Sequence, residues 1–157
     1  LANHFSNVII CRSFSKAWGL AGLRAGYLLS TPETISALMR VKPAYEINAF
    51  TTLVLRELLD DPKEVHGYVT ASKEQLRRLE ASLVERGYPC SDSKANFTTT
   101  RLGNALGDRL REALHEHGIL IRRPFREHIL RDWIRISTAP QPFMDRLMQV
   151  LDDLRTS

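Results

Sequence analysis

The stretch 63–87, KEVHGYVTASKEQLRRLEASLVERG, sets the strongest limit on the fold. Its apolar residues Val65, Val69, Leu76, Leu79 and Leu83 recur at spacings of three, four or seven, the repeat of one helical face. Gly87 stands where such a helix ends. A long helix with one apolar stripe needs an apolar surface to lie on, and the residues after it supply the pattern for one. ANFTTTR (95–101) alternates as a strand does, and ALGDRLREALHEHG (105–118) reads as a helix stopped by Gly118. ILIRR (119–123) and WIRIST (133–138) read as short strands separated by the irregular PFREHILRD, and PQPFMDRLMQVLDDL (140–154) closes the chain as an amphipathic helix. The order helix, strand, helix, two strands, helix predicts a small α+β domain over residues 61–157.

Residues 1–60 read differently. NVIICRS and RAGYLLS are short β-rich runs on either side of a glycine-rich segment, and the first reads as a buried strand. TPETISALMRVK begins as a helix should, with Thr31 as N-cap, Pro32 in the first position and Glu33 in the first turn. NAFTTLVLRELLDD is a mostly apolar helix, expected to be buried on several sides, and Asp61-Pro62 ends it. Two strands and two helices are too few for a sheet domain standing alone. Residues 1–60 are therefore expected to be a remnant of a larger α/β domain. The chain starts with leucine, and LANHFSNVIICRS reads as a helix end running into a strand, as in a chain entered part-way.

Composition narrows the class. The chain has 157 residues and a net charge of +4, with the basic residues spread along helices instead of gathered in one tract. That distribution gives no support to nucleic-acid binding. No apolar run reaches the length of a membrane span, and the first residues lack the basic and apolar regions of a signal peptide. Cys11 and Cys90 make neither a disulfide framework nor a metal cluster, so a reducing, cytoplasmic setting is expected. His4, His66 and His128 have no metal-ligand spacing, and His115 and His117 suit the negative end of a helix dipole.

The chemistry lies in CRSFSKAWGLAGLRAGYLLS (11–30). A lone lysine beside glycines is ordinarily a solvated surface residue. Lys16, however, directly follows a strand, where α/β enzymes place functional loops. Ser13 and Ser15 flank it with hydroxyl donors, and Arg24 can add a bidentate contact to phosphate. Gly19, Gly22 and Gly26 permit unusual backbone angles and close approach. An amine nucleophile beside a phosphate-bearing cofactor fits this set. The spacing is not that of a nucleotide P-loop.

The motif SFSKAWGLAGLRAGYLL resembles the lysine segment of fold-type I pyridoxal-phosphate enzymes. It is most similar to the histidinol-phosphate subfamily of the class I/II aminotransferases, and the resemblance continues through KPAYEINAF (42–50) and the later strands. The resemblance implies an α/β fold of type I with an α+β small domain, a pyridoxal 5'-phosphate cofactor, and amino transfer between an amino acid and a keto acceptor. It implies that Lys16 forms the Schiff base and that Ser13, Ser15 and Arg24 hold the cofactor phosphate. Once displaced by the substrate amine, a neutral Lys16 is placed to carry the proton from the substrate α-carbon.

Arg135, in WIRIST, is by spacing alone either an exposed strand residue or a ligand clamp. The resemblance assigns it to the substrate α-carboxylate, a job suited to a planar guanidinium. By the same resemblance Arg122 contacts substrate, with Arg123 the competing candidate; Asn96, in KANF, matches a recurrent asparagine of the family and is read as local structure near the cleft. Family members act as homodimers, and the apolar helix 48–59 is a candidate contributor to such an interface.

The resemblance places this chain as the C-terminal portion of such an enzyme. The aspartate that pairs with the pyridine nitrogen, the aromatic residue that stacks on the ring and the glycine-rich phosphate loop would then lie upstream. Two other readings share the lysine segment: a threonine-phosphate-type decarboxylase, and a non-catalytic portion of the same fold. The purified 157-residue chain, assayed for amino transfer with pyridoxal phosphate supplied, is expected to show no turnover. Measurable turnover overturns that expectation.

Overall fold

A computed structural model describes residues 5–156 of the chain. His4 lies outside the described residues. The chain forms two compact units that part within one helix, between Val69 and Thr70. No helix among the described residues is long and apolar enough to cross a membrane.

In the first unit, β1 (Ile10–Ser13) and β2 (Gly26–Leu29) pair antiparallel, with Ile10 opposite Leu29 and Ser13 opposite Gly26. Helix α1 (Pro32–Met39) starts as expected, its Thr31 hydroxyl accepting from the Thr34 N–H at 3.3 Å. Helix α2 (Ala49–Asp60) is capped by Asn48, whose Oδ1 accepts from the Thr51 N–H at 2.8 Å. Two expectations of burial are corrected here. β1 is largely exposed, and in α2 only Thr51 is buried, while Phe50 and Leu53 are 68% and 67% exposed. The sheet of this unit is a two-stranded ribbon, which offers too little apolar surface to cover a helix.

The break at Asp61-Pro62 separates α2 from α3 (Lys63–Glu85), and the Asp61 carboxylate accepts the Lys63 N–H at the new helix start. The second unit begins in α3 and adds β3 (Phe97–Arg101), α4 (Asn104–Glu116), β4 (Trp133–Ser137) and α5 (Gln141–Thr156). β3 and β4 are antiparallel, with Phe97 opposite Ser137 and Thr99 opposite Arg135. Because side chains alternate along a strand, one face of this ribbon carries Thr98, Thr100, Ile134 and Ile136, all essentially inaccessible. The stripes of α3, α4 and α5 complete the core with Leu83, Leu110, Leu114, Leu147 and Leu151. Thr100 enters this core satisfied, its hydroxyl donating to the Pro89 carbonyl at 3.1 Å.

Helices α3 and α4 both stop on a glycine with positive φ, Gly87 (83°) and Gly118 (72°). In each case the next N–H reaches back into the helix, Tyr88 to Leu83 and Ile119 to Leu114. The strand expected at 119–123 does not form. This segment joins no ladder; Pro124 brings no N–H, and a main-chain hydrogen bond to β4 is made just after it, where the Phe125 N–H donates to the Trp133 carbonyl at 2.8 Å.

The ends of α3 and α5 are tied by a fork. Arg86 Nε and Nη2 each donate to one oxygen of Asp152 at 2.8 Å. Hydrogen bonds from Arg86 hold the Asp152 carboxyl below the usual range, and the carboxylate raises Arg86 in turn. A depressed folded value means that the pair stabilises fully above the unfolded carboxylate value of about 4. The contribution fades as pH falls through the lower folded value. Asp152→Asn is therefore expected to lower the melting temperature slightly at neutral pH. Thermal scans across the acid range should show the two proteins converging below that window; a gap that persists in strong acid contradicts the assignment.

Candidate active site

In the first unit the predicted residues stand together at one end of the β1–β2 ribbon. The loop leaving β1 is closed by two main-chain bonds, Leu20 N–H to the Phe14 carbonyl and Gly19 N–H to the Lys16 carbonyl, both 3.0 Å. Phe14 is the buried anchor, its ring edge-on to Trp18 at 5.5 Å and tilted against Tyr27 at 5.7 Å. Lys16 projects from this loop and is exposed. Ser13 Oγ donates to Ser15 Oγ at 2.8 Å and accepts from the Ser15 N–H at 3.0 Å, so the two hydroxyls sit side by side.

Arg24 reaches the same end along the other strand, because the Phe14 N–H donates to the carbonyl of Ala25, the residue after it. Its backbone is left-handed, φ 54° and ψ 33°, at the close of a single 3-10 turn over Ala21–Leu23. For a residue with a Cβ that conformation is strained. The turn is tied to α2, where the buried Thr51 hydroxyl donates to the Leu23 carbonyl at 3.5 Å. Neither Lys16 nor Arg24 has a carboxylate partner among the described residues.

In the second unit a cavity of about 470 Å³ opens beside β4. Arg122 and Arg135 both line it, together with Ser137, Thr138, Ile121 and Phe143. Arg123 is exposed and is not among its lining residues. Asn96 acts through its main chain: its carbonyl accepts from the Thr138 N–H at 2.9 Å and the Thr138 hydroxyl at 3.2 Å. Arg135 points away from the core, and its Nε is buried without a hydrogen-bond partner among the described residues. Cys90, half-buried, has its thiol pushed up chiefly by burial and is no candidate nucleophile.

Sequence reasoning missed the residues that hold these groups in place. Phe14 and Thr51 fix the lysine loop, and Gly107 lets α4 approach the segment that carries Arg122. A Cβ at Gly107 would fall 2.6 Å from Pro124 Cγ. A glycine within the first turn of a helix was the available signal for that contact.

The comparisons with known proteins bear on the whole chain. The family model described as Aminotransferase class I and II matches residues 1–151. The chain belongs to the class I and II aminotransferases. Histidinol-phosphate aminotransferase 1 of Nostoc sp. is 32% identical over all of this chain and 44% of its own length. The crystal structure of histidinol-phosphate aminotransferase from Sinorhizobium meliloti in complex with pyridoxal-5'-phosphate superposes with a TM-score of 0.79 at 31% identity. That match covers 96% of this chain and 42% of that one. L-threonine-O-3-phosphate decarboxylase from Porphyromonas gingivalis shares the fold, with a TM-score of 0.81 at 21% identity over 99% of this chain and 49% of that one. The chain thus spans less than half the length of the curated aminotransferases it matches. This aminotransferase chain has the mixed α/β character of its solved neighbours.

The tightest constraint on the lysine loop of this aminotransferase chain is Gly26. A Cβ there would fall 2.5 Å from the main-chain oxygen of Arg12, and backbone cannot step aside as a flexible side chain can. Gly26→Ala is expected to cost about 1–3 kcal/mol. Faster amide exchange across the Ser13–Gly26 end of the ribbon should accompany the loss. Unchanged stability and protection contradict the close approach.

Proposed function

We propose that the chain carries part of a pyridoxal-phosphate-dependent aminotransferase of the histidinol-phosphate type, moving an amino group between an amino acid and a keto acceptor. The observation that carries this reading is the shared cavity of Arg122 and Arg135, two guanidinium groups able to receive two anionic groups of one substrate. In this reading Arg135 takes the α-carboxylate and Arg122 a second anionic or polar group. The full protein then works as a homodimer in the cytoplasm on small amino-acid and keto-acid substrates, without nucleic acid or membrane.

The donors of the first unit fit a phosphate-bearing aldehyde cofactor. Two adjacent hydroxyls and a guanidinium with no carboxylate partner among the described residues suit a phosphate, and an exposed amine suits covalent attachment. When bound, pyridoxal phosphate supplies an electron sink for the bonds at the substrate α-carbon. Lys16 serves as the covalent anchor and, when released, holds the α-proton at Nζ. Ser13, Ser15 and Arg24 hold the phosphate. Arg24 in a strained backbone conformation supports a functional demand on that side chain, since glycine would satisfy the turn at lower cost.

Two experiments test the assignment. Titration of the chain with pyridoxal phosphate, followed by borohydride reduction and peptide mapping, is expected to label Lys16 in preference to the other lysines. Labelling spread evenly over the lysines contradicts the role given to Lys16. Arg24→Gly is expected to leave stability unchanged or raised by up to about 1 kcal/mol while weakening that labelling. With the missing part of the protein supplied, release of carbon dioxide in place of amino transfer would favour the decarboxylase reading.

A further inference from the structure

We propose that Phe97 is a positioning residue for Arg135, holding the guanidinium over its ring so that the N–H groups stay free for a carboxylate. This rests on the assignment of Arg135 as the carboxylate clamp. The guanidinium carbon lies 4.8 Å from the centroid of the Phe97 ring. The register explains the contact. Arg135 is directly opposite Thr99, and Phe97 is the diagonal neighbour on the same face of the ribbon, within reach of a long side chain.

An arginine that waits for a carboxylate presents a physical problem. A permanent acidic partner would fix its orientation but would also occupy the donors that the substrate needs. Arg135 has no ion-pair partner among the described residues, and its Nε is buried and unbonded. An aromatic face attracts the cation through its π-cloud and takes up no N–H donor, because those donors lie in the guanidinium plane. The ring therefore orients the group without competing for it.

Phe97 is itself well held. Its carbonyl accepts from the Ser93 hydroxyl, and the preceding carbonyl, of Asn96, accepts from both the N–H and the hydroxyl of Thr138. The Thr138 hydroxyl lies 3.3 Å from that of Ser72 on α3. The platform is thus anchored to β4 and to a helix of the same unit.

The test is an NMR titration of the 157-residue chain with L-glutamate as the carboxylate probe, read at the Arg135 Nε–Hε signal. Phe97→Leu is expected to weaken the apparent affinity about fivefold and Phe97→Tyr, which keeps the ring, to leave it within about twofold. A Phe97→Leu affinity within about twofold of the parent overturns the proposal. If the parent Arg135 signal does not titrate, the carboxylate-clamp reading fails instead. Stacking is then judged by the upfield ring-current shift of Arg135 Hε, expected in the parent and in Phe97→Tyr and lost in Phe97→Leu. A parent spectrum with no ring-current shift and no cross-relaxation between Arg135 and the Phe97 ring overturns the proposal without recourse to a variant.

Discussion

Everything in the second unit depends on the burial of one face of the β3–β4 ribbon. Ile134 and Ile136 are sealed under α3, α4 and α5, and strand alternation then leaves Arg135 only the opposite face. A one-residue slip would exchange the two sets and carry a guanidinium into a leucine core. The hydrophobic term that stabilises the fold therefore also aims the Arg135 side chain. Nothing needs to hold Arg135 out of the core beyond the cost of putting it there.

The lysine loop rests on a different balance. Its ribbon is short and exposed, so its shape comes from local devices: the buried Phe14 ring, two loop-closing hydrogen bonds and the close approach at Gly26. Strain at Arg24 is tolerated within that frame. Such a loop has little stability to spare, and its charged groups lack carboxylate partners among the described residues. Unpaired cations raised from a tight turn are poorly suited to stability and well suited to an anionic ligand.

Much of the organisation was legible because its signals are short-ranged. Thr31 and Pro32 opened a helix, Gly87 and Gly118 closed two more, and Asp61-Pro62 separated α2 from α3, as their chemistry within one helical turn requires. The clearest failure was 119–123. Alternating isoleucines imitate a strand, and periodicity cannot report that a following proline denies the ladder its next donor. Burial was misjudged in α2 for a related reason. An apolar helix requires cover, but its sequence does not say whether the residues at hand can supply it.

The sequence by itself determined which segments are helices and where most of them begin and end, and it singled out the lysine and arginines to which the family resemblance assigns chemistry. These depend on bonds within a turn or on residue type. Tertiary structure alone decided how the distant pieces serve one another. Gly103 gives α4 no side-chain cap, and the Asp132 carboxylate, 28 residues on, accepts the Asn104 N–H instead. Arg122 and Arg135 come to line one cavity, and Phe97 comes to lie under Arg135. Each of these pairings is set by the register of β3 on β4 and the packing of α4 against Pro124, and contacts between residues far apart in the chain leave no local pattern to read.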